Sequence, residues 1–451
     1  MSSVDALIIA GPKPQEFLGG EIRERMRLTI DGIPASLNFL RHYFDAGRDS
    51  GDAYARWQRQ ELGFVSLSGP YLCQFLEERG FTTDWAPLFL PEDDSFLAQL
   101  RAGPKTVIIS TTFLPLAEGI DAIAAFVKEH APNAHIIAGG TQVWKSYQHL
   151  ELVEDGQIGE EILPAVAEHN YFIDATRPSP VDTFIVCNRG EETLARVLRL
   201  IVDGKDHSDQ PNVAQYRDGR WHINPVVKED YREVRVDWAD YAPRDIPVWV
   251  PVQSGQGCGF RCTFCDFYGL HPKVHQREHL SLIEEIATIP EVNGYRRVYF
   301  TDDNLFTSKK QARAFCHELI KVKHLNIKWR GMIRVAIVDE EIAALMKDSG
   351  CVEVLLGIES GDRQVLINMK KLSTPDQILK GLRHLITGAI LVYCAVVDIK
   401  QEGAVSGKKL DVALCKEGID KVLLDYAQTS FIVEGIVYGV NLVAKYFSIP
   451  Q

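Results

Sequence analysis

Hydrophobic positions along this chain fall into short continuous runs, separated by longer segments in which they recur every three or four residues. Ala6 to Ala10 is the first run, closed by Gly11 and Pro12, and reads as a buried parallel strand followed by a loop. Residues 13 to 63 mix glycine, arginine and aspartate with short apolar pieces and predict loops and short helices. Leu67 to Arg79 has helical periodicity and stops at Gly80, a C-cap residue. Thr106 to Ser110 is a second apolar run, Leu116 to His130 is helical, and Ala134 to Ala138 is a third run ending in Gly139 and Gly140. Together they form a βαβ unit and imply a parallel sheet with right-handed crossovers. Phe184 to Cys187 is a further strand, after which Arg189-Gly190-Glu191-Glu192-Thr193-Leu194 opens a helix whose acidic pair suits its positive end. Ligands of such sheets gather at the carboxyl ends of the strands, where Ser110, Thr111, Thr112, Gly139, Gly140 and Thr141 fall.

Residues 204 to 250 are polar and rich in Asp, Arg and Pro. Within them Gln215 to Trp221 reads as a hairpin around Asp218-Gly219. Strand runs then alternate with helical stretches: strands at 247 to 253, 297 to 301, 326 to 333, 352 to 358 and 389 to 397, and helices at 279 to 289, 308 to 323, 340 to 349 and 374 to 385. That alternation predicts a partial (β/α)6 barrel with a polar rim at its strand ends. The expected organisation is therefore α/β throughout: a Rossmann-like doubly wound domain over 1 to 205, a linker over 206 to 246, a partial TIM-like barrel over 247 to 400, and a short α-rich tail over 401 to 451.

Length and charge narrow the function. At 451 residues and 46% hydrophobic content, the chain is long enough for two or three domains with their own cores. Its formal net charge of −12 disfavours a nucleic-acid backbone as the main partner. The start, Met-Ser-Ser-Val-Asp-Ala-Leu, shows no basic region followed by an apolar run, so no signal peptide is expected. No apolar stretch reaches the roughly 18 to 20 residues that cross a bilayer, so no membrane partner is expected either. Six of the nine cysteines (Cys73, Cys187, Cys316, Cys351, Cys394 and Cys415) are scattered singly through apolar segments, the pattern of reduced core cysteines in a cytoplasmic protein.

The other three crowd into one stretch, Gly257-Cys258-Gly259-Phe260-Arg261-Cys262-Thr263-Phe264-Cys265-Asp266-Phe267-Tyr268. Three soft thiolates at C-x3-C-x2-C spacing can wrap a loop around one cubane iron-sulfur cluster and leave its fourth iron open to a small molecule. Gly257 and Gly259 permit a tight turn, and Phe260, Phe264 and Phe267 can shield the sulfurs. A zinc site would use the same cysteines with His271 or His275, yet structural zinc sites usually pair two C-x2-C or C-x4-C units and no second unit is present.

The stretch Gly-Cys-x3-Cys-x-Phe-Cys resembles the signature of radical S-adenosylmethionine (SAM) enzymes. The resemblance implies a 4Fe-4S cluster on Cys258, Cys262 and Cys265 whose open iron is chelated by SAM, and reductive cleavage of SAM to a 5′-deoxyadenosyl radical. The segments Ile109-Ser110-Thr111, Ala138-Gly139-Gly140 and Gly190-Glu191-Glu192-Thr193-Leu194 resemble the cobalamin-binding domain that precedes the cluster domain in one large class of these enzymes. Ser110, Thr111, Gly139, Gly140 and Glu191 would then contact cobalamin. No Asp-x-His-x2-Gly occurs, so no histidine from that motif would replace the lower cobalt ligand. In the cluster domain the resemblance places Phe264, Asp302, Asp303, Asn304, Arg334, Glu359 and Ser360 at the cluster and SAM.

Each of these has an ordinary alternative. Asp302, Asp303 and Asn304 suit the N-cap of the helix that follows, Glu359 and Ser360 suit a solvated turn before Gly361, and Arg334 suits an ion pair with a neighbouring carboxylate. Tyr268, His271, His275 and Arg277 are further candidates for substrate contact. The family implies a cobalamin-dependent methyltransferase acting on an unactivated carbon or phosphinate phosphorus of a small molecule or peptide, with an external one-electron donor such as flavodoxin or ferredoxin. A cobalamin-binding radical catalyst of cyclisation or rearrangement is the alternative within the class, and a zinc-stabilised binding protein the alternative outside it. The resemblance fades after about residue 385, where the strand runs into Asp398-Ile399-Lys400-Gln401-Glu402-Gly403.

Overall fold

The computed structural model describes residues 3–11, 29–30, 33–34, 66–114, 116–241, 249–265, 270–271 and 273–396. The expected tail over 401 to 451, most of the segment 13 to 63, Phe267 and Tyr268 lie outside the described residues. The chain divides into two compact units, one of residues 1–25 and 64–236 and one of residues 26–63 and 237–451.

In the first unit, β1 (Ala6–Ile9) is followed by α1 (Ser68–Glu77), β2 (Thr83–Ala86), α2 (Asp94–Arg101), β3 (Thr106–Ser110), α3 (Ala117–His130) and β4 (His135–Gly139). Then come α4 (Thr141–Glu154), α5 (Leu163–His169), β5 (Thr183–Ile185), α6 (Glu191–Val202), β6 (Val213–Arg217) and β7 (Arg220–Ile223). These strands form one seven-stranded sheet in the order β2-β1-β3-β4-β5-β6-β7. The first five are parallel, with Ala6 opposite both Thr83 and Thr106, and β6 and β7 are antiparallel.

Alternation along each strand divides the core in two, as a sheet covered on both faces requires. Leu7, Ile9, Val107, Ile109, Ile136 and Ala138 pack into one cluster with α2 and α3. Ala6, Ile8, Ile108 and Ile137 pack into the other with Phe75, Leu76, Leu194 and Leu198 of α1 and α6. The unit is doubly wound, as the apolar runs predict.

Three differences from the sequence reading have physical causes. β2 was not legible because Thr-Asp-Trp-Ala is a half-exposed edge strand with no apolar run. α2 starts on a side-chain cap, with Asp93 accepting from the Phe96 N–H at 2.9 Å, but it is only eight residues long. The Asp218-Gly219 hairpin forms as expected, both residues having positive φ (53° and 73°), yet it belongs to the sheet and not to a linker. The first unit accordingly continues to Val236.

The second unit holds β8 (Val250–Val252), the short antiparallel pair β9 (Gly255–Gln256) and β10 (His275–Gln276), α7 (His279–Thr288), β11 (Arg296–Phe300) and α8 (Lys309–Lys321). These lead into β12 (Ile327–Ile333), α9 (Glu340–Asp348), β13 (Cys351–Glu359), α10 (Arg363–Asn368), α11 (Pro375–Thr387) and β14 (Leu391–Val396). β8, β11, β12, β13 and β14 are all parallel and are neighbours in chain order, the connectivity of a (β/α) barrel wall. All five strands expected between residues 247 and 397 are present, within three residues of the expected bounds. Helix starts are set by side-chain caps at Ser308, Asp339, Asp362 and Thr374, the last forming a capping box with Gln377. Under the sheet, Trp329 meets Phe300, Phe306 and Phe315 edge-on and donates from its indole to Ser349 Oγ at 3.1 Å.

Gly140, at the carboxyl end of β4, has φ 114° and ψ −158°, a region open essentially to glycine, and a Cβ there would stand 3.2 Å from Thr111 Oγ1. Gly140→Ala should cost about 1–3 kcal/mol in urea unfolding. Gly156→Ala, where φ is also positive but nothing lies within 4 Å, should cost less.

Candidate functional site

The cysteine loop is held at the carboxyl end of the second sheet. β9 and β10 pair at its base, with Gly255 opposite Gln276 and Gln256 opposite His275. Gly257 has φ 87°, and a Cβ there would come within 2.4 Å of the Lys273 carbonyl, so this turn closes only around glycine. Beyond β11, Asp302 accepts from the Ser254 N–H at 3.1 Å and from Ser254 Oγ at 2.8 Å, while Asp303 accepts from the Gly257 N–H at 3.0 Å.

These carboxylates staple the start of the loop to the sheet. The helix-cap alternative for them fails, because Ser308 caps α8. Burial lifts the Asp302 carboxyl to about 7, with the Ser254 donors acting against it, and lifts Asp303 to about 6. Asn304 is buried; its Nδ2 donates to the Phe306 carbonyl at 2.8 Å, and its Oδ1 has no partner among the described residues. Asp302 and Asn304 line one small cavity with Ser254, Gly257 and Thr307.

Cys258, Cys262 and Cys265 are all free thiols of intermediate exposure. The Cys265 N–H donates to the Cys262 carbonyl at 3.1 Å, and the Thr263 N–H donates to the Met369 carbonyl at 3.0 Å, docking the loop on the chain after α10. Burial raises the Cys258 thiol, with the Arg334 charge acting the other way. Arg334 leaves the end of β12 and is 8% exposed. Its guanidinium lies 3.8 Å above the Phe260 ring, donates to Cys262 Sγ at 3.6 Å and stands 3.5 Å from Ser373 Oγ. The expected alternative, an ion pair with a carboxylate, is not found for Arg334 among the described residues.

The donor set fits an iron-sulfur cluster better than a single ion. Three free, reachable thiols beside a buried cation that has no carboxylate partner among the described residues suit an anionic, sulfur-rich group. Among the described residues no three His, Cys, Asp or Glu side chains converge on one ion.

At the end of β13, Glu359 and Ser360 are buried, not in a solvated turn. Glu359 adopts φ 67° after a register shift against β14, and Lys371 Nζ meets its carboxylate at 2.8 Å with both side chains at most 10% exposed. Lys371 also lies 5.5 Å from the ring centre of Phe264, which is itself exposed. Ser360 Oγ accepts from the Asp362 N–H at 3.0 Å. Sequence reasoning missed Lys371; the only trace was its place in the basic pair Lys370-Lys371 soon after Glu359.

Arg277 turns out to be structural, buried against Glu285 and donating to the Gln253 carbonyl at 2.9 Å. His275 forms part of β10 at the base of the loop, and the His271 imidazole lies 3.5 Å from the Gln256 amide.

In the first unit, the order of β2, β1, β3, β4 and β5 puts the topological switch between β1 and β3, where doubly wound sheets bind ligands. At that point Ser110 Oγ meets Ser68 Oγ at 2.9 Å, Ser68 meets Ser66 at 2.7 Å, and Thr112 follows at 3.4 Å. Thr111 Oγ1 donates to the Gly139 carbonyl at 3.1 Å and accepts from the Gln142 N–H at 3.2 Å, tying β3 to the Gly139-Gly140 turn. Glu191 sits at the start of α6, its carboxyl raised by burial and by the charge of Glu229. Glu229 itself accepts from the Glu192 and Thr193 N–H groups at 3.1 and 2.9 Å, so the positive end of α6 is satisfied from within the unit. The structure thus brings Ser110, Thr111, Gly139 and Gly140 to one edge lined by hydroxyls and close-packed backbone.

Residues 252–397 match the Radical SAM superfamily. This part of the chain is a radical SAM domain. An uncharacterised methyltransferase of Pyrococcus horikoshii is 27% identical over 218 residues, which are 46% of this chain and 47% of the relative. An anaerobic magnesium-protoporphyrin IX monomethyl ester cyclase of Synechocystis is 22% identical over 351 residues, 74% of this chain and 64% of the relative. The chain thus spans about half to two thirds of the length of these curated relatives. A radical SAM methyltransferase from Kitasatospora setae, solved with cobalamin and a 4Fe-4S cluster, superposes with a TM-score of 0.56 at 15% identity over 94% of this chain and 73% of its own. That likeness establishes a shared α/β fold for a Rossmann-like unit followed by the radical SAM domain. No helix among the described residues is long and apolar enough to cross a membrane.

Lys371→Ala would leave Glu359 charged and buried without its cation, and should cost about 3–5 kcal/mol in urea unfolding. Adding Glu359→Gln should recover part of that loss, since the two effects share one interaction.

Proposed function

We propose that this chain is a cobalamin-dependent radical SAM enzyme, and specifically a methyltransferase. The observation that carries the proposal is the cysteine loop itself, three free thiols at the carboxyl end of a parallel sheet beside a buried guanidinium that faces no carboxylate among the described residues. Cys258, Cys262 and Cys265 would hold a 4Fe-4S cluster, with Phe260 and Phe264 shielding it. Asp302 and Asp303 fix the start of the loop, while Asn304, Arg334, Glu359 and Ser360 present polar groups where SAM would lie. In the first unit, Ser110, Thr111, Gly139, Gly140 and Glu191 would hold cobalamin, the hydroxyl chain offering both donors and acceptors and Gly140 allowing close backbone approach. When bound, these groups supply hydrogen abstraction by a carbon radical and a transferable methyl group.

The chain's own residues bind, orient and exclude water. The Glu359–Lys371 pair would keep the far wall of the site rigid, since a buried pair is costly to separate. The substrate would be a small molecule or peptide methylated at an unactivated carbon or phosphinate phosphorus, with flavodoxin or ferredoxin as a fitting electron source in the cytoplasm.

A second reading is favoured by the 351-residue match to a cyclase, which spans more of this chain than the methyltransferase match does. In that case the net reaction would be a ring closure or rearrangement.

Cys262→Ala should abolish 5′-deoxyadenosine formation from SAM under reducing conditions, measured by liquid chromatography. Retained cleavage would refute the ligand assignment. Product mass then separates the readings, with a CH2 increment expected for methylation and none for cyclisation.

A further inference from the structure

Arg334 is buried without a carboxylate partner among the described residues, and Arg297, which is half-buried, shares that lack but lies over the Trp249 ring and not beside the cysteine loop. Arg277, Arg296, Arg313 and Arg330 each face a carboxylate. Arg334 is 8% exposed, and its recorded contacts are the Phe260 ring, Ser373 Oγ and Cys262 Sγ. A guanidinium removed from water is costly unless an anion compensates it. The group in reach that cluster ligation would make anionic is the Cys262 sulfur, 3.6 Å from Nη1.

We infer that Arg334 sets the reducibility of the cluster by donating to the Cys262 sulfur, a role beyond contact with SAM. The inference rests on the proposed ligation by Cys262. A cubane held by three thiolates already carries net negative charge when oxidised, and accepting an electron adds another. A fixed cation and an N–H donor beside one ligand sulfur therefore stabilise the reduced form more than the oxidised form, and the midpoint potential rises. The stacking on Phe260 holds the guanidinium in place, so the charge is positioned before any SAM binds.

Arg334 acts through a ligand and is a positioning residue, so the readout is a potential. The test is a redox titration of the reconstituted full chain, followed by electron paramagnetic resonance without SAM, on wild type, Arg334→Gln, Arg334→Lys and Phe260→Leu. Arg334→Gln should have a more negative midpoint than wild type at equal iron content. Arg334→Lys, which keeps the charge but loses the planar fork, should fall between them. If Arg334→Gln does not retain a cluster, Phe260→Leu keeps the inference open to refutation, because a guanidinium without its stacking partner should also lower the midpoint. Equal midpoints in all cluster-bearing variants would overturn the inference, and so would an unchanged midpoint accompanied by weakened SAM binding, which would assign the guanidinium to SAM alone. A wild-type chain that takes up no iron would overturn the ligation instead.

Discussion

In a parallel sheet with both faces covered, polar chemistry has nowhere to go except the strand ends. Both units obey that constraint. Strands such as Ala6–Ile9 and Thr106–Ser110 are buried along their whole length, and the hydroxyls of Ser110, which ends β3, and of Thr111 just after it lie at the carboxyl edge. In the second unit the same rule gathers Asp302 and Asp303 after β11, Arg334 after β12, and Glu359 and Ser360 at the end of β13. The cysteine loop follows β8 and is pinned to that edge by Ser254, Gly257 and Thr263. What the sheet collects, the loop then closes over.

How those polar residues are satisfied determines what each can do. Asp302 accepts from both the N–H and the hydroxyl of Ser254, Asp303 accepts from the Gly257 N–H, and together they shape the turn that carries Cys258. Glu359 is neutralised by Lys371, which suits a wall residue held in an unusual backbone conformation. Among the described residues Arg334 has the Cys262 thiol and an aromatic face in place of a carboxylate, and it is the group whose charge an anionic cofactor would complete.

Much of this was legible in the sequence, because short, β-branched apolar runs bounded by turn residues, such as Thr-Val-Ile-Ile-Ser, favour buried strands, and C-x3-C-x2-C is a compact donor set. The edge strand Thr83–Ala86 and the short helices α2 and α5 were not, since half-exposed or brief elements leave little hydrophobic pattern. Partners distant in sequence were equally hidden: nothing local ties Ser254 to Asp302 or Ser68 to Ser110, because tertiary packing alone brings them together. Arg277 shows the reverse failure, a residue near the motif that is occupied by Glu285 and plays a structural part.

On the proposed function, one chain would carry a cluster site in one unit and a cobalamin site in the other. The most direct test is anaerobic purification with added hydroxocobalamin, followed by iron, sulfide, cobalt and zinc analysis with the visible spectrum. About four irons with matching sulfide and one cobalt per chain are predicted. Zinc without iron would contradict the account, and iron without cobalt would leave the radical SAM domain standing while removing cobalamin from the first unit.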